Sequence, residues 1–189
     1  MDELGHWRVT SPLERPESGV LAGWVDRLAI GQRLQPPCMV VRREVYERLG
    51  GFDRRIGRYG EDWELWVRIA AHYPVRFEVE PLALCRVGSA SLTATTMRTG
   101  QNVEDILRAI DVIHAHLPPE RADALRVQAR EVAATTALRR ARRAIDSGHG
   151  PVALAQARAA ARVSRSPAVV RALVHTSLRL AMRRVGTRA

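Results

Sequence analysis

The sequence contains no lysine: all 30 basic residues are arginine. Such a bias is the mark of a GC-rich coding genome rather than of a mechanism. Cysteine is scarce too. Two thiols, Cys38 and Cys85, cannot build the bridge framework of a small secreted domain or a Cys-rich metal site. Both lie in apolar runs, which predicts small buried hydrophobes in a reducing cytosol. No run reaches the roughly 18 consecutive apolar residues that a membrane-spanning helix needs. The opening Met1-Asp2-Glu3-Leu4-Gly5-His6 is polar and acidic, the opposite of a basic leader with an apolar run, so no secretory signal is expected.

Acidic residues are missing from one region only. Residues 1–119 hold 15 Arg against 16 Asp and Glu, whereas residues 120–189 hold 15 Arg against Glu120, Asp123, Glu131 and Asp146. The formal charge of +10 therefore belongs to the C-terminal third, and the asymmetry points to two parts with different jobs. The 189 residues, 46% of them hydrophobic, suffice for one domain with a real core and an appendage.

Apolar spacing and the Gly and Pro breakers divide the chain. Residues 19–33 predict a helix on Val20, Leu21, Trp24, Leu28 and Ile30, stopped by Pro36-Pro37. Cys38 to Val41 reads as a short buried strand. Arg43 to Leu49 reads as a short helix ended by Gly50-Gly51, because glycine tolerates the left-handed conformation. Asp53 to Gly60 is a loop, in which Asp53 is expected to close the turn through its side chain. Glu61 to His72 is a helix ended by Pro74. Arg76 to Glu80 alternates like a strand, Leu82 to Leu84 is a further apolar run after Pro81, and Ser89 to Thr96 reads as a small-polar loop. From Gln101 on, all is helical. Val103, Ile106, Leu107, Ile110, Ile113 and Leu117 make one stripe. Pro118-Pro119, Gly148 to Pro151 and Ser166-Pro167 separate three further helices. So few strands cannot form an independent, doubly covered α/β sheet: this is a small α+β unit or part of something larger.

The chemistry-bearing residues sit at one junction. Gly60 is followed by Glu61-Asp62-Trp63-Glu64-Leu65-Trp66. Adjacent acids there are either helix-start residues favoured by the helix dipole or a catalytic base beside a substrate. Trp66 and Ile69 fall at core spacing.

Four segments in order carry a resemblance: Cys38 to Tyr46, Leu49-Gly50-Gly51-Phe52-Asp53, Glu61 to Ala70, and Pro81-Leu82 with Arg86, Ser89, Ser91 and Thr93. Together they resemble the acceptor-side half of family 2 glycosyltransferases, inverting enzymes of A-type, Rossmann-like fold. The resemblance implies that Asp62 is the general base toward an acceptor hydroxyl, that Glu61 and Trp63 serve acceptor binding, and that Arg86 meets the leaving diphosphate; read from the residues alone, Arg86 equally fits a pair with a strand-edge acid. It implies a nucleotide-sugar donor, a glycan or lipid-linked acceptor, and a divalent metal, Mg or Mn, held by an Asp-x-Asp motif. That motif does not occur in the sequence, so the chain names no metal ligand and is expected to lack the donor-binding half. Cys85 and Gly88 stand where the family carries an aromatic residue and a histidine around the arginine, which weakens diphosphate handling from this loop.

The basic tail needs its own reading. The last helix carries Val169, Val170, Leu173, Val174, Leu178, Leu180 and Met182 with Arg171, Arg179, Arg183 and Arg184. Three readings stand: a helical bundle with arginine as its solvated face, a basic amphipathic surface over 167–185 for an anionic membrane, and nucleic-acid binding from charge alone. The last lacks a recognised motif, and every aromatic residue lies in the first half.

The expectation is therefore an α/β class, a partial A-type Rossmann-like transferase over residues 1–98, with an all-α basic extension over 99–189. Its function is sugar transfer with inversion in cell-envelope or polysaccharide synthesis, in the cytoplasm or peripherally at the inner face of the cell membrane. The alternative is a noncatalytic helical interaction or membrane-surface module that retains a transferase remnant.

Overall fold

The structure, a computed structural model, describes residues 13–85 and 91–186. Helices dominate it. Along the chain run β1 (Gly19–Val20), α1 (Trp24–Ile30), a 3-10 turn at Pro36–Cys38, α2 (Arg43–Leu49), α3 (Glu61–His72) and β2 (Arg76–Phe77). Then come α4 (Leu92–Thr99), α5 (Gln101–His114), α6 (Pro119–Asp146), α7 (Gly150–Val163) and α8 (Pro167–Gly186). No helix among the described residues is long and apolar enough to cross a membrane.

The expected α/β, Rossmann-like class is overturned. Helix makes up 66% of the structure, and the one sheet among the described residues is a two-stranded antiparallel ladder pairing Gly19 with Phe77 and Val20 with Arg76. The reason is that a strand is completed by a neighbour rather than by its own composition. Pro36 and Pro37, whose rings fix φ and lack a donor, turn the chain just before Met39, and Val40 stands fully exposed at 101%. Leu82 and Leu84 are exposed as well. The cysteines follow their segments: both are exposed rather than buried.

Of the loop expected over Ser89 to Thr96, the described residues 91–96 depart in the opposite sense and enter α4. The Ser91 hydroxyl accepts a hydrogen bond from the Ala94 N–H at 3.2 Å and caps α4. The Thr95 and Thr96 hydroxyls then turn back onto carbonyls of the preceding turn. Low helix propensity is outweighed by the cap and by packing of α4 against α5 and α7.

Two cores meet along α6. In the first, α1 (Trp24, Leu28), α3 (Trp63, Trp66, Val67), α5 (Ile110, Ile113) and the start of α6 (Leu125, Ala129) close on one another. In the second, the middle of α6 (Ala134, Ala137, Leu138) packs on Ala160 and Val163 of α7 and Val169 of α8. Buried alanines line α6 on both sides of this change, and their small side chains let neighbouring backbones approach closely. At 1.5 Å per residue, α6 is about 42 Å long, enough to serve both cores. The first core thus runs past residue 98 without a break, from Leu21 to Ala129.

Candidate functional site

The loop before α3 is held at several points. Asp53 accepts a hydrogen bond from the Arg55 N–H at 2.8 Å, closing the turn as expected. The Arg55 guanidinium bonds the same carboxyl and pulls its pKa down to about 2. Further on, Asp105 of α5 accepts from the Arg58 N–H at 3.0 Å, from Gln101 Nε2 at 2.9 Å and from Arg108 at 2.8 Å. Gly57 lies against that carboxylate so closely that a Cβ would overlap it. Gly60, at φ 96°, takes the left-handed conformation that starts α3, and its carbonyl accepts from the Glu64 N–H at 3.1 Å. The loop thereby delivers Glu61, Asp62 and Glu64 to the positive end of a 12-residue helix.

The three acids meet different fates. Asp62 is 7% exposed. Gln32, just beyond α1, donates its Nε2 amide to both carboxylate oxygens, at 2.9 and 2.8 Å, and the Trp63 N–H donates to Oδ1 at 2.8 Å. Burial penalises the charged form more than these bonds favour it, and the nearby Glu61 adds to the effect. The Asp62 pKa is pushed up to about 6. Among the titratable groups of the described residues, that places one carboxylate at the edge of neutrality in a defined orientation.

Glu64 is fully buried and fully paired. Arg68, one turn on, approaches it at 2.8 Å, and His116, from the turn between α5 and α6, lies at 3.1 Å. Burial alone would raise the Glu64 carboxyl, but the hydrogen bonds from His116 and Arg68 reverse this and hold it below its ordinary value. Arg68 also donates to the Leu49 and Gly51 carbonyls, at 2.7 Å for Gly51. This cluster ties α3 to the Gly50-Gly51 turn and to the turn between α5 and α6. Sequence reasoning missed Glu64, His116, Gln32 and Asp105, because each draws its role from residues distant in the chain. The local signals were the spacing of Arg68 one turn after Glu64 and of Gln101 and Arg108 one turn either side of Asp105.

The other expected site residues separate. Glu61 adjoins Asp62, and its Oε2 is closed off from solvent without a hydrogen-bond partner. Trp63 is core: its ring is 1% exposed and its Nε1 donates to the Leu28 carbonyl at 2.7 Å, so neither ring face is open to a sugar. Trp66 and Ile69 are buried, at core positions as their spacing predicts. Arg86 and Ser89 lie outside the described residues. The divalent metal implied by the resemblance finds no ligand set here: among the described residues no three His, Cys, Asp or Glu side chains converge. Neither a protein-family model, nor a curated protein, nor a solved structure matches this chain.

Proposed function

We propose that this chain carries the acceptor-side base of an inverting glycosyltransferase, which moves a sugar from a nucleotide-sugar donor to an acceptor hydroxyl in cell-envelope or polysaccharide synthesis. The observation that supports it most is Asp62. It is buried at a helix start, oriented through both oxygens by Gln32, with its pKa raised to about 6. Such a group is mostly ionised at pH 7 and is a stronger base than an exposed aspartate. As the acceptor oxygen attacks the anomeric carbon, its proton passes to an Asp62 carboxylate oxygen. The bond from that carbon to the donor diphosphate breaks, the electron pair leaves with the diphosphate, and the centre inverts. Glu61 beside it keeps the site negative and so raises the basicity of Asp62. Arg86 belongs to the proposal as the diphosphate contact. Work at the cytoplasmic inner face of the membrane fits a lipid-linked acceptor.

One observation favours a second reading, a noncatalytic helical interaction module. With Trp63 in the core and Gln32 on both Asp62 oxygens, the same residues serve as a structural tie between α1 and α3. The readings separate by titration calorimetry with UDP-glucose, UDP-N-acetylglucosamine and GDP-mannose in Mn²⁺, followed by transfer assays. With the chain joined to a donor-binding half, the transferase reading expects a loss of about 10²–10⁴-fold in transfer on Asp62→Asn, with donor affinity kept. Unchanged turnover in that variant removes Asp62 from the base role. Absence of donor binding by the chain alone removes autonomous transfer, and unchanged turnover of the joined Asp62→Asn variant leaves the interaction module.

A further inference from the structure

We propose that the outward face of α8 is a docking surface for an anionic lipid bilayer. This rests on the helical half alone and is independent of the role assigned to Asp62.

The sequence presents α8 as one apolar stripe, but the structure divides it into two faces. Val169 and Thr176 point inward and are buried, and the Thr176 hydroxyl bonds the Ala172 carbonyl and Arg142. Val170, Val174, Leu178 and Met182 stand on the opposite side, exposed at 46, 55, 58 and 65%. Residues four apart share a helix face, so these four form a continuous ridge about 18 Å long at 1.5 Å per residue. A helix that merely closes a bundle needs its inward face alone. Four consecutive large apolar side chains on the outward face call for a partner.

Charge selects the partner. After Asp146 the chain carries no acidic residue, while Arg158, Arg162, Arg165, Arg171, Arg179, Arg183, Arg184 and Arg188 follow. Arg171 is exposed beside the ridge. A second copy fits poorly: pairing two such faces sets arginine against arginine with no carboxylate on either α8 to neutralise them. Nucleic acid would meet the arginines but leave the ridge in water. An anionic bilayer answers both features, because the ridge enters the boundary between headgroups and acyl chains while the guanidiniums stay at the phosphates. α8 then lies in the membrane plane, in keeping with its inability to span.

The test is flotation of the full chain with vesicles of phosphatidylcholine alone or mixed with phosphatidylglycerol. Binding to the mixed vesicles is expected, with little to the neutral ones. Val174→Ser with Leu178→Ser should weaken it at least about tenfold, from the lost apolar burial. Arg171→Ser should weaken it about fivefold. All these side chains are exposed, so the variants should melt like the parent. Equal binding to neutral vesicles, or full binding by the Val174→Ser/Leu178→Ser variant, overturns the proposal. So does a concentration-dependent dimer that the double variant abolishes. So does release from vesicles by duplex DNA, with DNA affinity lost in Arg171→Ser and unchanged in the double variant.

Discussion

Replacing Asp62 with asparagine isolates the free energy of holding a carboxylate beneath Gln32 at the start of α3. The side chains are nearly isosteric. The carbonyl oxygen of the new amide can still accept from the Trp63 N–H, and rotating the Gln32 amide presents its oxygen to the new NH₂ group. What disappears is the buried charge. In the folded protein Asp62 ionises at about pH 6 instead of its ordinary 3.8. At about 1.4 kcal/mol per pH unit, that displacement means ionised Asp62 costs the fold roughly 3 kcal/mol at pH 7. Below pH 3.8 the group keeps its proton in the folded and unfolded chains alike and costs nothing. As pH rises from 3.8 to about 6, the unfolded chain has lost the proton while the folded chain retains it, so stability falls. Above that window the full cost applies. Asp62→Asn should therefore match the parent near pH 4 and exceed it by up to about 3 kcal/mol at pH 7, a rise in Tm of roughly 6–12 °C for a chain of this size. Urea titrations of both proteins across this range measure the difference directly, and subtraction cancels every titrating group not coupled to Asp62. A difference that stays flat from pH 4 to 7, or a variant less stable at pH 7, would refute the argument that burial dominates this carboxylate. A confirmed gain in stability with a loss of transfer would be the trade expected of a functional acid.

Glu64→Gln should destabilise by about 3 kcal/mol, because Arg68 loses the buried charge that compensates it; an unchanged urea midpoint would dismiss the cluster as incidental. The folded pKa of Glu64 is depressed. Its stabilisation is therefore present above its ordinary 4.5 and fades as pH falls below it, opposite in sign to Asp62. Gly57→Ala should cost about 1–3 kcal/mol by forcing Asp105 off its three donors, and the loop from Asp53 to Gly60 should become the first site of proteolytic cleavage. Trp63→Phe should cost about 1–3 kcal/mol through the unsatisfied Leu28 carbonyl, with transfer reduced only in proportion to folded protein. A selective loss of acceptor affinity would instead return Trp63 to the acceptor site.

The helices of this protein are legible in its sequence because helix formation is local. Arg43–Leu49 and Glu61–His72 are bounded by glycine and by Tyr73-Pro74, and α5 to α8 follow their breakers closely. The turn closed by Asp53 is local too, since donor and acceptor lie two residues apart. Sheet formation is not local. Cys38 to Val41 and Leu82 to Leu84 have the composition of strands, yet among the described residues no neighbouring strand completes them: Met39 and Val41 pack only partly on the first core, and Val40, Leu82 and Leu84 stand exposed. Residues 91–99 show the converse: one serine cap and contacts with α5 and α7 make a helix from a threonine-rich run whose composition reads as a loop.

The candidate site divides along the same line. Sequence order is enough to single out Glu61 and Asp62 at a glycine-led helix start, and to place Trp66 in the core. Only the tertiary structure separates the three acids. Burial lifts the Asp62 pKa to about 6 against the hydrogen bonds that hold it, while hydrogen bonds from His116 and Arg68 keep Glu64 below its ordinary value. It also turns Trp63 inward and exposes one of the two apolar faces of α8. Periodicity reports which residues share a face of a helix. What that face meets depends on the desolvation, pairing and packing supplied by segments far away in the chain, and the sequence alone does not contain those distances.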